Sequence, residues 1–336
     1  MTDTYPDGRQ ILEMMAAYMP SCVIGGAAEL NLWSVLGDEQ LTASEIAERL
    51  NADLRATTML LDAVAALRLL DKQADRYTVP RQVAPWLRDD SEDSVLPMVW
   101  HRMNILRSWS QLARVVQSGE PAFRQASVRG EEADRAAFVA AMHTVSGPGA
   151  DHLVARLGPP RFKHLLDVGG ASGTWTLAFL RTGGPDARAT LFDLPDAIEQ
   201  ARQRIKATEF ADRVNLVAGD FYANPLPSGA DYAWVSAIVH QNSREQNRDL
   251  FAKVHAALQV GGRIGIRDIV MQPDKVQPLD GALFAINMLV NTQGGGTFSF
   301  AELAADLQAV GFSRPELRIE DTAMNSVVEA VKADSL

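Results

Sequence analysis

Residues 164–180, HLLDVGGASGTWTLAFL, carry the turn on which the reading of this chain depends. A short apolar run, LLDV at 165–168, passes through Gly169, Gly170 and Gly173 into a segment with helical apolar spacing. A dinucleotide turn needs G-x-G-x-x-G, whose helix N-terminus receives a pyrophosphate. Counting back from Gly173, the middle glycine is Gly170, but Val168 stands at the first position. The G-K-[ST] of a triphosphate-binding loop is also absent. A turn that lets backbone approach a ligand, without the full phosphate arrangement, suits a nucleoside that lacks a phosphate chain. Asp193 lies twenty residues beyond Gly173, at the end of ATLFDL (189–194), the spacing at which a carboxylate accepts ribose hydroxyls. Asp220 ends VNLVAGD (214–220) and is a candidate for the adenine side. One strand-end aspartate can simply cap the next helix. Three successive strand ends with glycine or aspartate at these spacings point to a bound nucleoside.

Two further apolar runs, YAWVSAIV (232–239) and RIGIRDIV (263–270), continue the rhythm, with helix-length segments between most strands. Their continuous rather than alternating apolarity predicts a parallel sheet covered by helices on both faces. Helix 244–258 carries Leu250, Phe251, Val254 and Leu258 on one stripe. SFAE, Ser299 to Glu302, is a capping box opening another helix.

Before Pro160 the pattern is helical. TASE, Thr42 to Glu45, is a capping box, and LLDKQADRYTVP reads as a strand, a turn and a strand. Helices followed by a small hairpin suggest a winged helix. The composition predicts a first domain over 1–95, a helical connector over 96–158 and a nucleoside-binding domain over 159–336. A single cysteine, Cys22, excludes an internal disulfide framework and a cysteine zinc cluster. The N-terminal residues lack the pattern of a signal peptide, and no uninterrupted apolar run approaches 18 residues. The expectation is a cytoplasmic protein with no membrane partner. The formal charge of −10 repels phosphate backbones. Residues 1–100 hold sixteen acidic against eight basic side chains, which argues against a DNA-binding regulator.

Together these motifs resemble the S-adenosylmethionine (AdoMet)-dependent O-methyltransferases related to plant caffeate and bacterial polyketide enzymes. LLDVGGASG resembles their first cofactor motif, LFDLP the ribose motif, VAGDF the adenine motif and GGRIGIRD the fifth strand. AAELNLWSVL, TASEIAERL and LLDAVAALRLLD are similar to the family's winged-helix dimerisation domain. The resemblance implies an α/β fold: a Rossmann-like seven-stranded class I methyltransferase sheet, preceded by an all-helical winged-helix dimerisation domain. It also implies S-adenosyl-L-methionine as cofactor and a homodimer.

By position, the resemblance assigns Gly169, Gly170 and Gly173 to the cofactor loop, Asp193 and Leu194 to the ribose, and Asp220 and Phe221 to the adenine. Ser146 falls at the methionine end. Ser236 falls where plant members carry a lysine; both serines are equally readable as ordinary hydroxyls. Histidine titrates near neutrality and can take a proton from a phenol. His240 falls at the family's catalytic histidine, although Gln241 and Asn242 replace the usual acidic neighbour. Asp268 matches a carboxylate that orients this histidine, and Thr297 stands where a second acid is usual. Alternatively, His240 is a hydrogen-bonded strand-end side chain and Asp268 an ion-pair partner of Arg267. Trp100, Met103, Met142, Phe284 and Met288 are candidates for an apolar acceptor wall, with His101, His143, Asn287 and Asn291 as polar contacts. The small-molecule acceptor would be an aromatic or polyketide-like hydroxyl. Carbon or nitrogen methylation, or cofactor binding without methyl transfer, remain alternatives.

Overall fold

A computed structural model of the chain describes residues 5–333 apart from Glu92, 147–148 and 159–161, and describes no side chain at Val139 or over 142–146. The chain forms two compact units, Met1–Arg107 with Arg124–Thr144, and Ser108–Phe123 with Val145–Leu336.

The first unit is mostly helical. The capping box expected at Thr42 forms: the Thr42 N–H donates to Glu45 Oε2 at 2.7 Å, and the Glu45 N–H returns to Thr42 Oγ1 at 3.3 Å. This opens helix Ala43–Leu50, whose Ile46 packs with Leu61, Val64, Trp33 and Leu36. The expected hairpin pairs Asp71–Gln73 with Arg76–Thr78, and Leu41–Thr42 adds a third short strand, so this unit is not purely helical. Gly8–Ala16 and Tyr18–Glu29 follow one another as two helices. Their combined stretch of 22 residues is long and apolar enough, by length and composition, to cross a bilayer.

The second unit is built on a seven-stranded sheet: β1 (His164–Val168), β2 (Arg188–Asp193), β3 (Val214–Ala218), β4 (Ala230–Ser236), β5 (Leu258–Asp268), β6 (Phe312–Ile319) and β7 (Ser326–Lys332). The strand order is β6-β7-β5-β4-β1-β2-β3. Leu165, Leu166 and Val168 are all fully buried, as expected of a strand covered on both faces. The helices that cover it include α1 (Thr174–Thr182), α2 (Pro195–Lys206), α3 (Arg244–Ala257), α4 (Leu279–Asn291) and α5 (Phe300–Ala309). Six strands point in one direction, and β7 alone lies antiparallel, between β5 and β6. The wholly parallel sheet expected from the earlier strands is corrected here. Only residues 320–325 separate β6 from β7, too few for the crossover that parallel neighbours require.

Chain order reverses between β1, followed by β2 on one side, and β4 on the other. The carboxyl ends of these strands flank the crevice where open α/β sheets bind ligands. β4 also stops earlier than its apolar run suggests. Ala237 adopts φ +57°, and Val239–Gln241 forms a 3₁₀ turn. That turn carries His240.

Candidate active site

The glycine loop is a tight turn at the end of β1. Gly173 has φ +77°, in the left-handed region, and its N–H donates to the Gly170 carbonyl at 2.9 Å. A Cβ at Gly170 would stand 2.8 Å from the Asp167 carboxyl and 2.7 Å from Leu191 Cγ, so no larger residue fits. Asp193 closes this turn from β2: its Oδ2 accepts the Ala171 N–H and its Oδ1 the Leu194 N–H, both at 2.7 Å. The carboxylate thus ties the glycine loop to the next strand, and helix α2 receives no side-chain cap from it. Burial raises the pKa of Asp193. Leu194 is half exposed beside it.

Asp220 organises the following loop. Its Oδ1 accepts the Tyr222 N–H at 2.8 Å, and its own N–H donates to Asn224 Oδ1 at 2.8 Å. Phe221 lies next to the glycine loop, within 3.8 Å of where a Gly169 side chain would be.

Three groups under this surface were not singled out in the sequence. Asp167, buried within β1, accepts a 2.6 Å bond from Thr176 Oγ1, while its Oδ1 has no hydrogen-bond partner. Burial pushes its carboxyl up to about 7. Arg204 reaches from α2 to Thr174 Oγ1 at 2.6 Å and Ser172 Oγ at 3.2 Å, bracing the loop. Tyr222 bonds to Asn242 beside His240. An acid embedded in an apolar strand was a readable signal for Asp167; the other two contacts arise from loops and helices far apart in sequence.

His240 and Asp268 come together. His240 Nδ1 lies 2.9 Å from Asp268 Oδ2 and 3.0 Å from Oδ1, and the His240 N–H donates to Oδ2 at 3.3 Å. The Ile269 N–H adds a 2.8 Å bond to Oδ1. An ionised carboxylate only accepts, so a hydrogen bond between the two places a hydrogen on Nδ1. The Phe284 ring meets His240 edge-on with centroids 4.9 Å apart. The triple-glycine segment braces the same turn, with the Gly296 N–H donating to the His240 carbonyl at 2.8 Å. Thr297, at the usual place of a second acid, donates its hydroxyl to the Gly281 carbonyl at 3.3 Å.

The hydrogen bonds of the Arg267 side chain go to groups other than Asp268. The guanidinium donates to Ser236 Oγ at 3.1 Å and to Asn325 Oδ1 at 2.9 and 3.1 Å, and it faces the Trp175 ring. Burial pushes its pKa down to about 10. Ser236 is therefore engaged by a buried cation.

Of the acceptor candidates, Phe284, Asn287, Met288 and Asn291 share α4. Asn287 Oδ1 accepts from Trp109 Nε1 at 3.0 Å and from Asn291 Nδ2 at 3.1 Å, so these amides are already linked. Trp100 donates to the Ala28 carbonyl at 3.0 Å and stacks under Arg129, and Met103 packs on Gly25, all within the first unit. His101 meets Phe138 edge-on in that unit. The side chains of Met142, His143 and Ser146 lie outside the described residues. Among the described residues, no cluster of histidine, cysteine and carboxylate side chains could hold a metal ion.

The O-methyltransferase domain profile matches residues 109–313, and the O-methyltransferase dimerisation domain profile matches residues 12–85. A 3-hydroxy-5-methyl-1-naphthoate 3-O-methyltransferase of Streptomyces sahachiroi is 32% identical, over 91% of this chain and 90% of its own. The tetracenomycin polyketide synthesis 8-O-methyl transferase TcmO of Streptomyces glaucescens is 29% identical, over 90% and 91%. The N,N-dimethyltransferase OxyT of Streptomyces rimosus is 29% identical, over 96% of each chain. Among solved structures, PigF with SAH superimposes with a TM-score of 0.85 at 22% identity, over 97% of this chain and 100% of that one. Human N-acetylserotonin methyltransferase in complex with SAM gives a TM-score of 0.80 at 23% identity, over 99% and 100%. These two likenesses speak to the fold. The domain match spans more than half of the chain and the sequence match nearly all of it: the chain belongs to the AdoMet-dependent O-methyltransferases.

Proposed function

We propose that this enzyme methylates a hydroxyl of a small aromatic or polyketide-like natural product, with His240 as general base and Asp268 as its support. The observation that carries this reading is the Asp268 carboxylate on the Nδ1 edge of His240, which leaves Nε2 as the proton acceptor. The naphthoate and tetracenomycin enzymes among the relatives support the substrate class.

AdoMet, when bound, supplies a methyl group on an electrophilic sulfonium. The residues fit such a group. The side-chain-free turn at Gly169, Gly170 and Gly173 and the Asp193 carboxylate beside it are what an adenosine needs for close backbone approach and a ribose contact. With the cofactor bound, Leu194 would line the ribose, Asp220 and Phe221 would hold the adenine, and Ser146 and Ser236 would serve the methionine end. His240 takes the phenolic proton at Nε2, the Nδ1–H bond to Asp268 stabilises the resulting imidazolium, and Phe284 helps exclude water. Phe284, Met288 and Asn291 bound the acceptor. Alignment and proton removal are the main tasks left to the protein.

Residues 1–95 serve dimerisation, 96–158 form a helical connector and 159–336 bind cofactor. The homodimer reading is supported by the dimerisation-domain match and by exposed Ile11, Leu12, Met14, Met15, Tyr18 and Met19 in the first two helices. Nitrogen methylation is the second reading, favoured by the relationship to OxyT.

The test is release of S-adenosylhomocysteine with a panel of hydroxynaphthoates, polycyclic phenols and matched aryl amines. Product mass and position of the new methyl group separate oxygen from nitrogen. Turnover of amines alone would reject the oxygen reading.

A further inference from the structure

We propose that Tyr222, Asn242 and Asn247 form a positioning relay through which an occupied cofactor site fixes the turn that carries His240. The inference rests on the reading that residues 220–221 contact the cofactor.

The relay is continuous. The Tyr222 hydroxyl donates to Asn242 Oδ1, Asn242 Nδ2 donates to Asn247 Oδ1 at 3.0 Å, and Asn247 Nδ2 donates to the Val239 carbonyl at 3.0 Å. The Asn242 N–H also returns to the Val239 carbonyl at 3.3 Å. Val239 opens the 3₁₀ turn in which His240 sits. Asn242 and Asn247 are fully buried, where an amide stripped of its partners is costly, so the two side chains specify one arrangement of the turn. Tyr222 is half exposed at the other end, one residue past Phe221. Its own position is fixed by the bond from its N–H to Asp220 Oδ1 and by Lys253 Nζ, which donates to the Phe221 and Tyr222 carbonyls at 2.6 and 2.8 Å.

Asn242 thereby gains a role. Gln241 stands where the family's acidic neighbour is usual, and Asn242 after it is turned inward as the central member of this relay. Ordering of the 220–222 loop by adenosine holds the tyrosine hydroxyl against Asn242, and the turn loses freedom with it. His240 would act; Tyr222, Asn242 and Asn247 would position.

Hydrogen exchange with S-adenosylhomocysteine, which needs no acceptor, tests this. The peptide covering residues 238–243 is followed in the full chain and in Tyr222→Phe, an isosteric change at a half-exposed site, with affinity measured by calorimetry. In the unaltered protein, saturating ligand should slow exchange of this peptide about tenfold. In Tyr222→Phe the protection should fall to about twofold or less, with affinity changed by no more than about threefold. Asn242→Ala should behave likewise. Equal protection in all three proteins would overturn the relay, as would ligand binding that leaves residues 238–243 unprotected in the unaltered protein. Loss of affinity in Tyr222→Phe with protection intact at saturation would make Tyr222 a cofactor contact only, again overturning it. Failure of the unaltered protein to bind S-adenosylhomocysteine would remove the cofactor reading itself, and the relay with it.

Discussion

Asp268 holds His240 by both ring and backbone: its carboxylate lies 2.9 Å from Nδ1 and accepts the His240 N–H at 3.3 Å. The strand-end carboxylate therefore sets the orientation of the imidazole and the position of the turn at once. His240→Ala should lower methyl transfer by about 10² or more, the usual contribution of a general base. Asp268→Asn should lower it by about 10² as well, because the amide no longer fixes the Nδ1–H tautomer. Calorimetry with S-adenosylhomocysteine should give nearly unchanged affinity for His240→Ala. Unaltered turnover in that variant would dismiss the histidine from its role.

The glycine loop gives a stability test that needs no substrate. Gly170→Ala drives a Cβ into Leu191 and the Asp167 carboxyl and should cost about 1–3 kcal/mol. Gly173→Ala keeps φ +77° only with left-handed strain and should cost about 1–2 kcal/mol. Gly184, with open space around a Cβ, provides the comparison: Gly184→Ala should change stability by no more than about 1 kcal/mol. Urea midpoints measure all three, and three equal midpoints would contradict the packing described for the loop.

Asp167 makes stability depend on pH. Burial raises its folded-state pKa to about 7, so the folded chain keeps this proton after the unfolded chain, near 3.9, has released it. The folded state binds more protons between those values, and this contribution is fully present below about pH 4 and lost as pH rises toward 7. Asp167→Asn removes it. Relative to that variant, the unaltered protein should lose stability steadily from pH 4 to 7 and level off above; parallel stability curves would show that Asp167 does not titrate in that window.

The first helices supply a test of assembly. Leu12 and Met15 are 71% and 67% exposed in the single chain and lie three residues apart on a helix. Each buried apolar side chain contributes about 1.5–3 kcal/mol. Leu12→Glu with Met15→Glu should raise a dimer dissociation constant by about 10²-fold or more, read by sedimentation velocity. A dimer that survives both substitutions would move the interface elsewhere.

What the sequence determined by itself is local. The capping boxes at Thr42 and Ser299 were legible because both partners lie within one turn of helix. The glycine turn and the Asp193 spacing were legible because a βα unit has a nearly fixed length. His240 and Asp268 could be paired in advance only through resemblance, since 28 residues separate them. The tertiary structure alone decided the contacts that cross the sheet or join separate loops: Arg204 beneath the glycine turn, Arg267 hydrogen-bonded to Ser236 and not to Asp268, and Tyr222 joined to Asn242. It also decided that β7 runs antiparallel between β5 and β6. Such contacts depend on which strands become neighbours, and that order is settled by burial of the whole core rather than by the residues on either side of a given position.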